Sequence, residues 1–499
     1  MDLSKIIAKK DEAAQYMIDE ITHICKDFEK RDPGSKGEKQ ACEYMAEVLK
    51  KDCGCESAEV ESFKENPGSF FGWIFFTITF VLVGILCSFF APVIGIVLIV
   101  LGLFIVLCQF GFYIKLIDKC FPEKTGHNVT AIKKCASGKP KRRILFNGHP
   151  DAAWEWPMNY KFGGVGFEGH AVLCGVGAVY YLILCIIKCV KYGVFGTVGM
   201  GEPITKASLI GLVFLIPLVG LYWMVNYRRI VDGANDNLSG CYMGIAVMKA
   251  LKDEGIDLED TEIGCVLTGS EEAGLRGSKA WCEAHAGEFQ DCPTMFISYD
   301  TIHDPKYLMV NYRDLNGTVK VDKDYCDLFM EAAEAVDVPC KKGWVPPLGG
   351  ATDSAAFAQA GFRSCGVTGL NHKLEDDFME MAPTDPKDVV RFVKEVPYWT
   401  AKKHGKKYRL MYQIYTHPKY IEHGKKFFEG VNERYTEYAK RLEPKIGIPY
   451  TVITPLIFIF VRACVHYAMF EDEYYLKSQM EVLKQGVALF VDKYKANQA

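Results

Sequence analysis

Two adjacent acids between glycines are the strongest chemical signal in this 499-residue chain. Glu271 and Glu272 lie in the stretch 268–278, Thr-Gly-Ser-Glu-Glu-Ala-Gly-Leu-Arg-Gly-Ser, directly after an apolar, strand-like run at 262–267. Glycines let a backbone turn sharply and approach a bound species, and ligands of open α/β sheets bind in the loops that follow strand ends. Taken alone, the pair has an ordinary alternative, a solvated surface loop.

Other polar residues follow similar runs elsewhere in the chain. His149 and Asp151 follow one such run, Asp300 ends another, and His372 lies in a polar loop. Alternate residues of a strand point to the same side, so His149 could bind a metal while Asp151 orients it, or the reverse. A single histidine is more often a packed or surface residue than a ligand. The ordered series His, Asp, Glu-Glu, Asp, His is harder to obtain by accident, and its donors suit zinc.

At this point the sequence resembles the co-catalytic di-zinc aminopeptidases and carboxypeptidases of clan MH, metallopeptidase family 28. The resemblance covers about residues 12–400, interrupted by two inserts, and its motifs follow the family's order. The matching motifs are His149-Pro-Asp151, Gly233-Ala-Asn-Asp-Asn-Leu-Ser-Gly240, Gly269-Ser-Glu-Glu-Ala-Gly-Leu-Arg-Gly-Ser278, Asp300, and His372 with Asp376.

The resemblance implies two zinc ions and their ligands. Asp236 would bridge the two ions, and a cis peptide bond would follow it. His149 and Asp300 would complete one site, and Glu272 and His372 the other. Two metals about 3.5–4 Å apart can share a carboxylate and polarise both a water and a carbonyl group.

Other acids are implied in supporting roles. Glu271 would be the general base, and Asp151 would fix the orientation of His149 through a hydrogen bond. Asp353 matches an acid that precedes the family's last ligand. It is expected either to support the site or to cap a helix. Asp376, four residues after the last ligand, is a further supporting candidate.

Composition limits the other classes of function. Acidic and basic residues nearly balance, with a formal net charge of −4, so the chain has no basic footprint for nucleic acid. Its 19 cysteines are scattered, without the dense pattern of a disulfide scaffold or a paired zinc motif. Residues 1–10 are charged and do not resemble a cleaved secretory signal. Reduced cysteines and a cytoplasmic catalytic part are therefore expected.

Two long apolar stretches predict membrane insertion. No charged residue occurs between Glu65 and Lys115, a length sufficient for two crossings with a turn at Pro92. A second pair of apolar runs, 169–187 and 207–227, separates two of the proposed metal ligands. Both pairs predict hairpins that return to the catalytic side. The distribution of lysine and arginine favours a cytoplasmic catalytic domain in a multi-pass membrane protein.

The predicted fold class is α/β, a mixed β-sheet sandwiched by helices with two inserted transmembrane hairpins and a helical C-terminal extension. The apolar segment 446–470 is expected to be interfacial or packed, with a fifth crossing as the alternative. The predicted division is 1–66, N-terminal helices and first strand; 67–115, hairpin 1; 116–168, catalytic domain; 169–227, hairpin 2; 228–405, catalytic domain; 406–499, C-terminal extension.

The expected function is hydrolysis of an amide or peptide bond by a metal-activated water. Because an insert begins shortly after Asp151, the site is expected near the bilayer. Trp154 and Trp156 would line an apolar substrate pocket or lie among lipid headgroups. The expected substrate is a hydrophobic peptide or an N-acyl amino acid. The alternatives are a glutaminyl-cyclase-like acyltransferase with one zinc and an inactive receptor or scaffold.

Overall fold

A computed structural model describes residues 4–302, 305–369, 389–446 and 448–498. The chain divides into two compact units, residues 1–372 and 373–499. Residues Val389–Thr416 form one helix that includes the predicted boundary at 405/406.

A mixed sheet is the centre of unit 1, as predicted. Its strand order is β1-β2-β6-β3-β7-β11-β8-β10, with β9 paired to β8, and β6, β3, β7 and β11 run parallel. The strands of this sheet are β1 (Ser57–Glu65), β2 (Lys124–Lys133), β3 (Arg142–Gly148), β6 (Thr261–Thr268), β7 (Thr294–Asp300), β8 (Met309–Asp314), β9 (Val319–Lys320), β10 (Lys341–Trp344) and β11 (Ser364–Thr368). A separate two-stranded sheet pairs β4 (Trp154–Glu155) with β5 (Asn226–Ile230).

Helices cover both faces of the main sheet. Within β6, Cys265 belongs to one hydrophobic cluster and its neighbour Val266 to another, because successive strand residues face opposite sides. The helices of unit 1 are α1 (Ser4–Ala8), α2 (Lys10–Asp27), α3 (Lys36–Lys51), α4 (Ser69–Cys87), α5 (Pro92–Val106), α6 (Pro157–Tyr192), α7 (Pro203–Ile210), α8 (Leu215–Gly220), α9 (Ser239–Asp253), α10 (Arg276–Ala284), α11 (Lys323–Ala335) and α12 (Ser354–Gln359).

The first insert is a helical hairpin, as its composition predicted. Helix α4 and helix α5 are joined by a short turn, and α5 continues through a π-helical turn at Leu107–Gly111. Pro92 occupies the first turn of α5, where its missing N–H is not needed. We call the segment Ser69–Gly111 hairpin 1. It begins just after β1 and returns just before β2, so both ends join the main sheet.

The second insert is also a hairpin, with an earlier start than predicted. Helix α6 begins at Pro157 rather than at residue 169, and Gly163 interrupts it with a non-helical backbone. The returning arm runs through α7, α8 and short 3-10 turns to Trp223. We call Pro157–Trp223 hairpin 2. The strands β4 and β5 pair across its base, so the chain leaves and re-enters the catalytic domain at one place.

Within the described residues, five helical segments are long and apolar enough to cross a membrane. Four belong to the two hairpins, and the fifth is a helix of unit 2 that the sequence predicted as interfacial or packed. The helices of unit 2 are α13 (Val389–Thr416), α14 (Ile421–Ile446), α15 (Tyr450–Phe470) and α16 (Glu473–Gln498), of which α15 is the fifth candidate.

Candidate metal centre and active site

Three neighbouring parallel strands deliver the candidate residues to one edge of the sheet. His149 directly follows the end of β3, and Asp300 is the last residue of β7. Glu271 begins a 3-10 turn shortly after the end of β6. Since β3 pairs in parallel with both β6 and β7, these three strand ends meet at the edge where ligands of such sheets bind.

Three predicted ligands converge at this edge. His149, Asp236 and Asp300 each offer one ligand atom, and these atoms lie within 4.8 Å of one another. The Nε2 atom of His149 lies 3.3 Å from Oδ1 of Asp236 and 3.7 Å from Oε2 of Glu271. The peptide bond between Asp236 and Asn237 is cis. Residues separated in sequence by hairpin 2 therefore lie together in space.

Asp151 supports both the histidine and the turn that carries the two glutamates. Its Oδ1 atom lies 3.3 Å from Nδ1 of His149. Its two carboxylate oxygens also accept hydrogen bonds from the backbone N–H groups of Glu271 and Glu272, each at 3.1 Å. This buried carboxylate fixes the imidazole and the glutamate turn relative to each other.

The acids of this edge are crowded, and those other than Asp236, whose side chain is half-exposed, are buried or partly buried. Burial and the charge of Asp236 raise the pKa of Asp300 to about 7. Burial also holds the pKa values of Glu271 and Glu272 well above the ordinary range, with further increases from neighbouring acids. Burial raises the pKa of Asp353 to about 6. A bound divalent cation would favour the ionised forms and reverse these shifts.

The donor atoms at this edge fit a cation such as zinc. Nε2 of His149 and Oε1 of Glu272 are buried and have no hydrogen-bond partner among the described residues. Buried polar atoms are normally satisfied, so these two require a partner. Imidazole nitrogen and carboxylate oxygen are common zinc ligands. The residues therefore fit the metal that the resemblance implied, whereas the number of ions stays a prediction.

Two predicted residues, His372 and Asp376, lie outside the described residues. The strand that leads toward them, β11, runs parallel to β7 and places Thr368 opposite Asp300. Asp353 is buried near the site, and its carboxylate accepts a hydrogen bond from the Thr268 hydroxyl at 2.7 Å. It precedes α12 but makes no side-chain capping hydrogen bond there. Its contacts favour the supporting role over the capping role.

The two tryptophans pack at the base of the hairpins. Trp154 contacts Phe71 and Tyr227, with ring centroids 6.4 and 5.4 Å apart. Trp156 contacts Phe71 and Phe167, at 5.3 and 5.2 Å. These rings join hairpin 1 to the base of hairpin 2, where β4 pairs with β5. Their contacts are those of a packed aromatic cluster beside the first ligand strand.

Two residues that the sequence reasoning missed hold the ligand loops. The buried guanidinium of Arg31 donates to the carbonyl oxygens of Pro150, Asp232 and Gly233, and so joins the loop after β3 to the loop that leads to Asp236. Asn237 donates to the carbonyl oxygen of Tyr299 at 2.8 Å. Asn237 lies within the matched motif and could have been singled out, whereas nothing in the local sequence around Arg31 indicates its role.

A buried pair of acids behind the glutamate turn was also missed. The Ser270 hydroxyl lies 2.7 Å from a carboxyl oxygen of Glu38 and 2.6 Å from one of Glu65. A hydroxyl has one hydrogen to donate, so one of the two carboxyls must be protonated to complete both contacts. Burial raises the pKa of each acid to about 8, in agreement with a retained proton.

Comparisons with known proteins agree with the sequence resemblance. Residues 222–396 match the sequence model of Peptidase family M28. No curated protein matches the chain.

Similar solved structures include two aminopeptidases and a glutaminyl cyclase. BSAP, a zinc aminopeptidase from Bacillus subtilis, is 13% identical with a TM-score of 0.40, covering 73% of this chain and 86% of that one. LapA aminopeptidase of Legionella pneumophila is 10% identical with a TM-score of 0.38, covering 74% and 64%. Fimbriiglobus ruber glutaminyl cyclase is 12% identical with a TM-score of 0.41, covering 73% and 84%. The family match covers the segment that carries Asp236, Glu271, Glu272 and Asp300, in agreement with the resemblance.

Proposed function

We propose that this protein is a membrane-embedded, zinc-dependent amide hydrolase, most simply an aminopeptidase, that acts on an amphipathic or membrane-associated substrate. The observation that carries the proposal is the convergence of His149, Asp236 and Asp300, with the carboxylate of Glu271 beside this group but not part of it. Three donors with a neighbouring carboxylate are the arrangement that metal-assisted hydrolysis requires.

The reaction divides between the metal and the side chains. Bound zinc would lower the pKa of a water and polarise the scissile carbonyl. Glu271 would take a proton from the attacking water as that water's oxygen bonds to the carbonyl carbon. The carbon–nitrogen bond then breaks, and Glu271 returns the proton to the leaving amine. Asp151 keeps the imidazole of His149 and the glutamate turn in fixed relative positions throughout.

The surfaces of the hairpins support membrane embedding. Large apolar side chains on both hairpins are exposed, among them Val97, Phe104, Ile183 and Ile216. An apolar surface of this extent is unfavourable in water and typical of contact with lipid. Because both hairpins begin and end at the catalytic domain, that domain would lie on one side of the bilayer, with the cytoplasmic side favoured by the charge distribution.

The position of the site relative to the hairpins supports the substrate class. Hairpin 2 begins shortly after Asp151, and the aromatic cluster at its base includes Phe71 of hairpin 1. A substrate with one polar end and one apolar end could bind with its amide at the sheet edge and its apolar part toward the bilayer. Hydrophobic peptides and N-acyl amino acids have this form.

The proposal is tested with full-length protein purified in detergent. Zinc content is measured, and turnover is compared for aminoacyl anilides, hydrophobic peptides and N-acyl amino acids. We expect bound zinc and hydrolysis of amphipathic amides. Replacement Glu271→Gln should retain zinc and lower kcat by about 10²–10⁴-fold, the usual contribution of a general base.

The matched control is Glu59→Gln, at an exposed position of β1. It should leave both zinc content and turnover unchanged. Normal turnover by Glu271→Gln would overturn the assignment of the base. A zinc-free wild-type protein without turnover would favour a receptor or scaffold, and cyclisation of N-terminal glutamine would favour an acyltransferase.

A further inference from the structure

Tyr113, two residues after the end of hairpin 1, is a residue that neither the metal centre nor the membrane explains. It follows the π-helical turn and has a left-handed backbone, with φ of 54°. Only 6% of it is exposed. Its ring packs against Phe70 and Phe110, with centroids 4.7 and 6.5 Å apart. The ring is therefore packed against the base of hairpin 1.

The backbone around Tyr113 is held by the catalytic domain. The ammonium of Lys279, on the helix that follows the glutamate turn, donates to the carbonyl oxygen of Tyr113 at 2.6 Å. The side-chain amide of Asn316 donates to the carbonyl oxygens of Phe110 and Gly111, at 3.3 and 3.1 Å. The ring thus has a fixed position relative to the site.

Two loops of the candidate site flank the Tyr113 side chain. Its hydroxyl lies 3.8 Å from the position that a Cβ atom would take on Gly350, three residues before the buried Asp353. Phe70, which packs on Tyr113, lies 2.6 Å from the Cβ position of Gly274, at the end of the glutamate turn. The tyrosine therefore lies where the glutamate turn and the loop before α12 approach each other.

The electrostatic surroundings of the hydroxyl agree with this position. Burial, and then the charges of Glu271 and Glu272, hold the pKa of Tyr113 well above its ordinary value, and Asp314 and Asp300 add to the effect. The phenol is therefore neutral near pH 7 and can donate a hydrogen bond. Its hydroxyl makes no hydrogen bond to a described residue.

We infer that Tyr113 is a substrate-contacting residue whose hydroxyl donates a hydrogen bond to the carbonyl oxygen of the scissile amide as that oxygen becomes negative. The inference rests on the proposed amide hydrolysis and assigns part of the active site to a membrane insert. A donor placed where charge develops stabilises the transition state more than the ground state.

The aromatic contacts alone do not require a hydroxyl. Phenylalanine would make the same ring contacts with Phe70 and Phe110. A hydrogen bond to substrate would give the hydroxyl a role that these ring contacts do not. The replacement Tyr113→Phe retains the ring and removes only the donor, so it separates the role of the hydroxyl from that of packing.

The test compares wild type, Tyr113→Phe and a control, Tyr181→Phe, as full-length zinc-loaded proteins in detergent. The control removes a buried hydroxyl that donates to the carbonyl oxygen of Ser208 within hairpin 2. We expect Tyr113→Phe to lower kcat by about 10²–10³-fold, the usual effect of losing one oxyanion donor, with KM and zinc content unchanged. The control should retain the wild-type kcat.

A second readout does not depend on turnover. A phosphonate analogue of the best substrate, with tetrahedral phosphorus in place of the scissile carbonyl, should bind Tyr113→Phe more weakly by a factor similar to the loss in kcat. A wild-type kcat, a change in KM alone, or unchanged phosphonate affinity in this variant would overturn the inference while the proposed function stands. Wild-type protein without turnover on the amide panel would overturn both.

Discussion

The two apolar hairpins are alike in composition but differ in their attachment to the catalytic domain. At the base of hairpin 1, the buried Arg276 of α10 donates to Asp118 at 2.8 Å and to Ser69 at 3.2 Å. Gln109 donates to the same two residues. Hairpin 2 instead closes through the short β4–β5 pair, where the ion pair to Glu155 comes from an arginine that is 71% exposed.

This difference indicates that an apolar hairpin can anchor the protein without contributing residues to the active site. At the same base of hairpin 1, Phe70 lies against Gly274 of the glutamate turn and also packs against Tyr113. Hairpin 2 adjoins the site mainly through aromatic packing at its base. We therefore expect hairpin 1 to act as part of the active-site structure and hairpin 2 chiefly as a membrane anchor. Changes at matched positions of the two hairpins test this distinction.

The largest difference is expected between Arg276→Met and Arg229→Met. The first leaves the partly buried Asp118 without its cation, and the loss of one partner of a buried ion pair typically lowers the free energy of unfolding by about 3–5 kcal/mol. It should also displace the glutamate turn and reduce turnover. The second removes an exposed partner of Glu155, worth about 0–1 kcal/mol. Thermal unfolding in detergent and kcat measure both effects, and equal effects would remove the distinction between the hairpins.

A smaller difference is expected between Gly274→Ala and Gly193→Ala. Both glycines have φ of +90°, a backbone conformation that alanine rarely adopts, so alanine is strained at each position. At Gly274 the new Cβ would also lie 2.6 Å from Phe70, whereas no heavy atom lies within 4 Å at Gly193. Gly274→Ala should therefore lower kcat, and Gly193→Ala should not. Similar kcat values for the two variants would show that the Phe70 contact does not position the turn.

The buried acids Glu38 and Glu65, behind the glutamate turn, predict a pH dependence of stability. The raised pKa values of Glu38 and Glu65 mean that the folded protein retains protons that the unfolded chain releases. Stability should therefore fall as the pH rises from about 4.5, the ordinary glutamate value, through about 8. In zinc-loaded protein, Glu65→Gln should flatten this slope. Tm measured across the pH range checks it, and an unchanged slope would contradict the shared proton at Ser270.

The smallest effect on turnover is expected at the far ends of the hairpins. Lys188 of hairpin 2 is buried and donates to the carbonyl oxygen of Ser88, after the end of α4, at 2.8 Å. Lys188→Met should lower Tm because this charged hydrogen bond is lost, while kcat stays at the wild-type value. A loss of kcat as large as that of Gly274→Ala would indicate that the distal turns also control the site.

Much of the fold and part of the site were predictable because local patterns carry them. Long uncharged runs indicate membrane helices, and short apolar runs that end in His149 or Asp300 indicate strand ends. The roles of Arg31 and Tyr113 were not predictable, because their partners lie far away in sequence and depend on strand order. The start of α6 was placed too late because residues 157–168 are less apolar than the rest of that helix.

The most direct test of the central claim is an anomalous-scattering map collected at the zinc edge from crystals of the zinc-loaded protein. The account predicts zinc density bounded by His149 Nε2 and the carboxylates of Asp236 and Asp300. The same map would give the number of ions and show whether His372 completes the site. Zinc density elsewhere, or none at this edge of the sheet in protein that hydrolyses amides, would contradict the account.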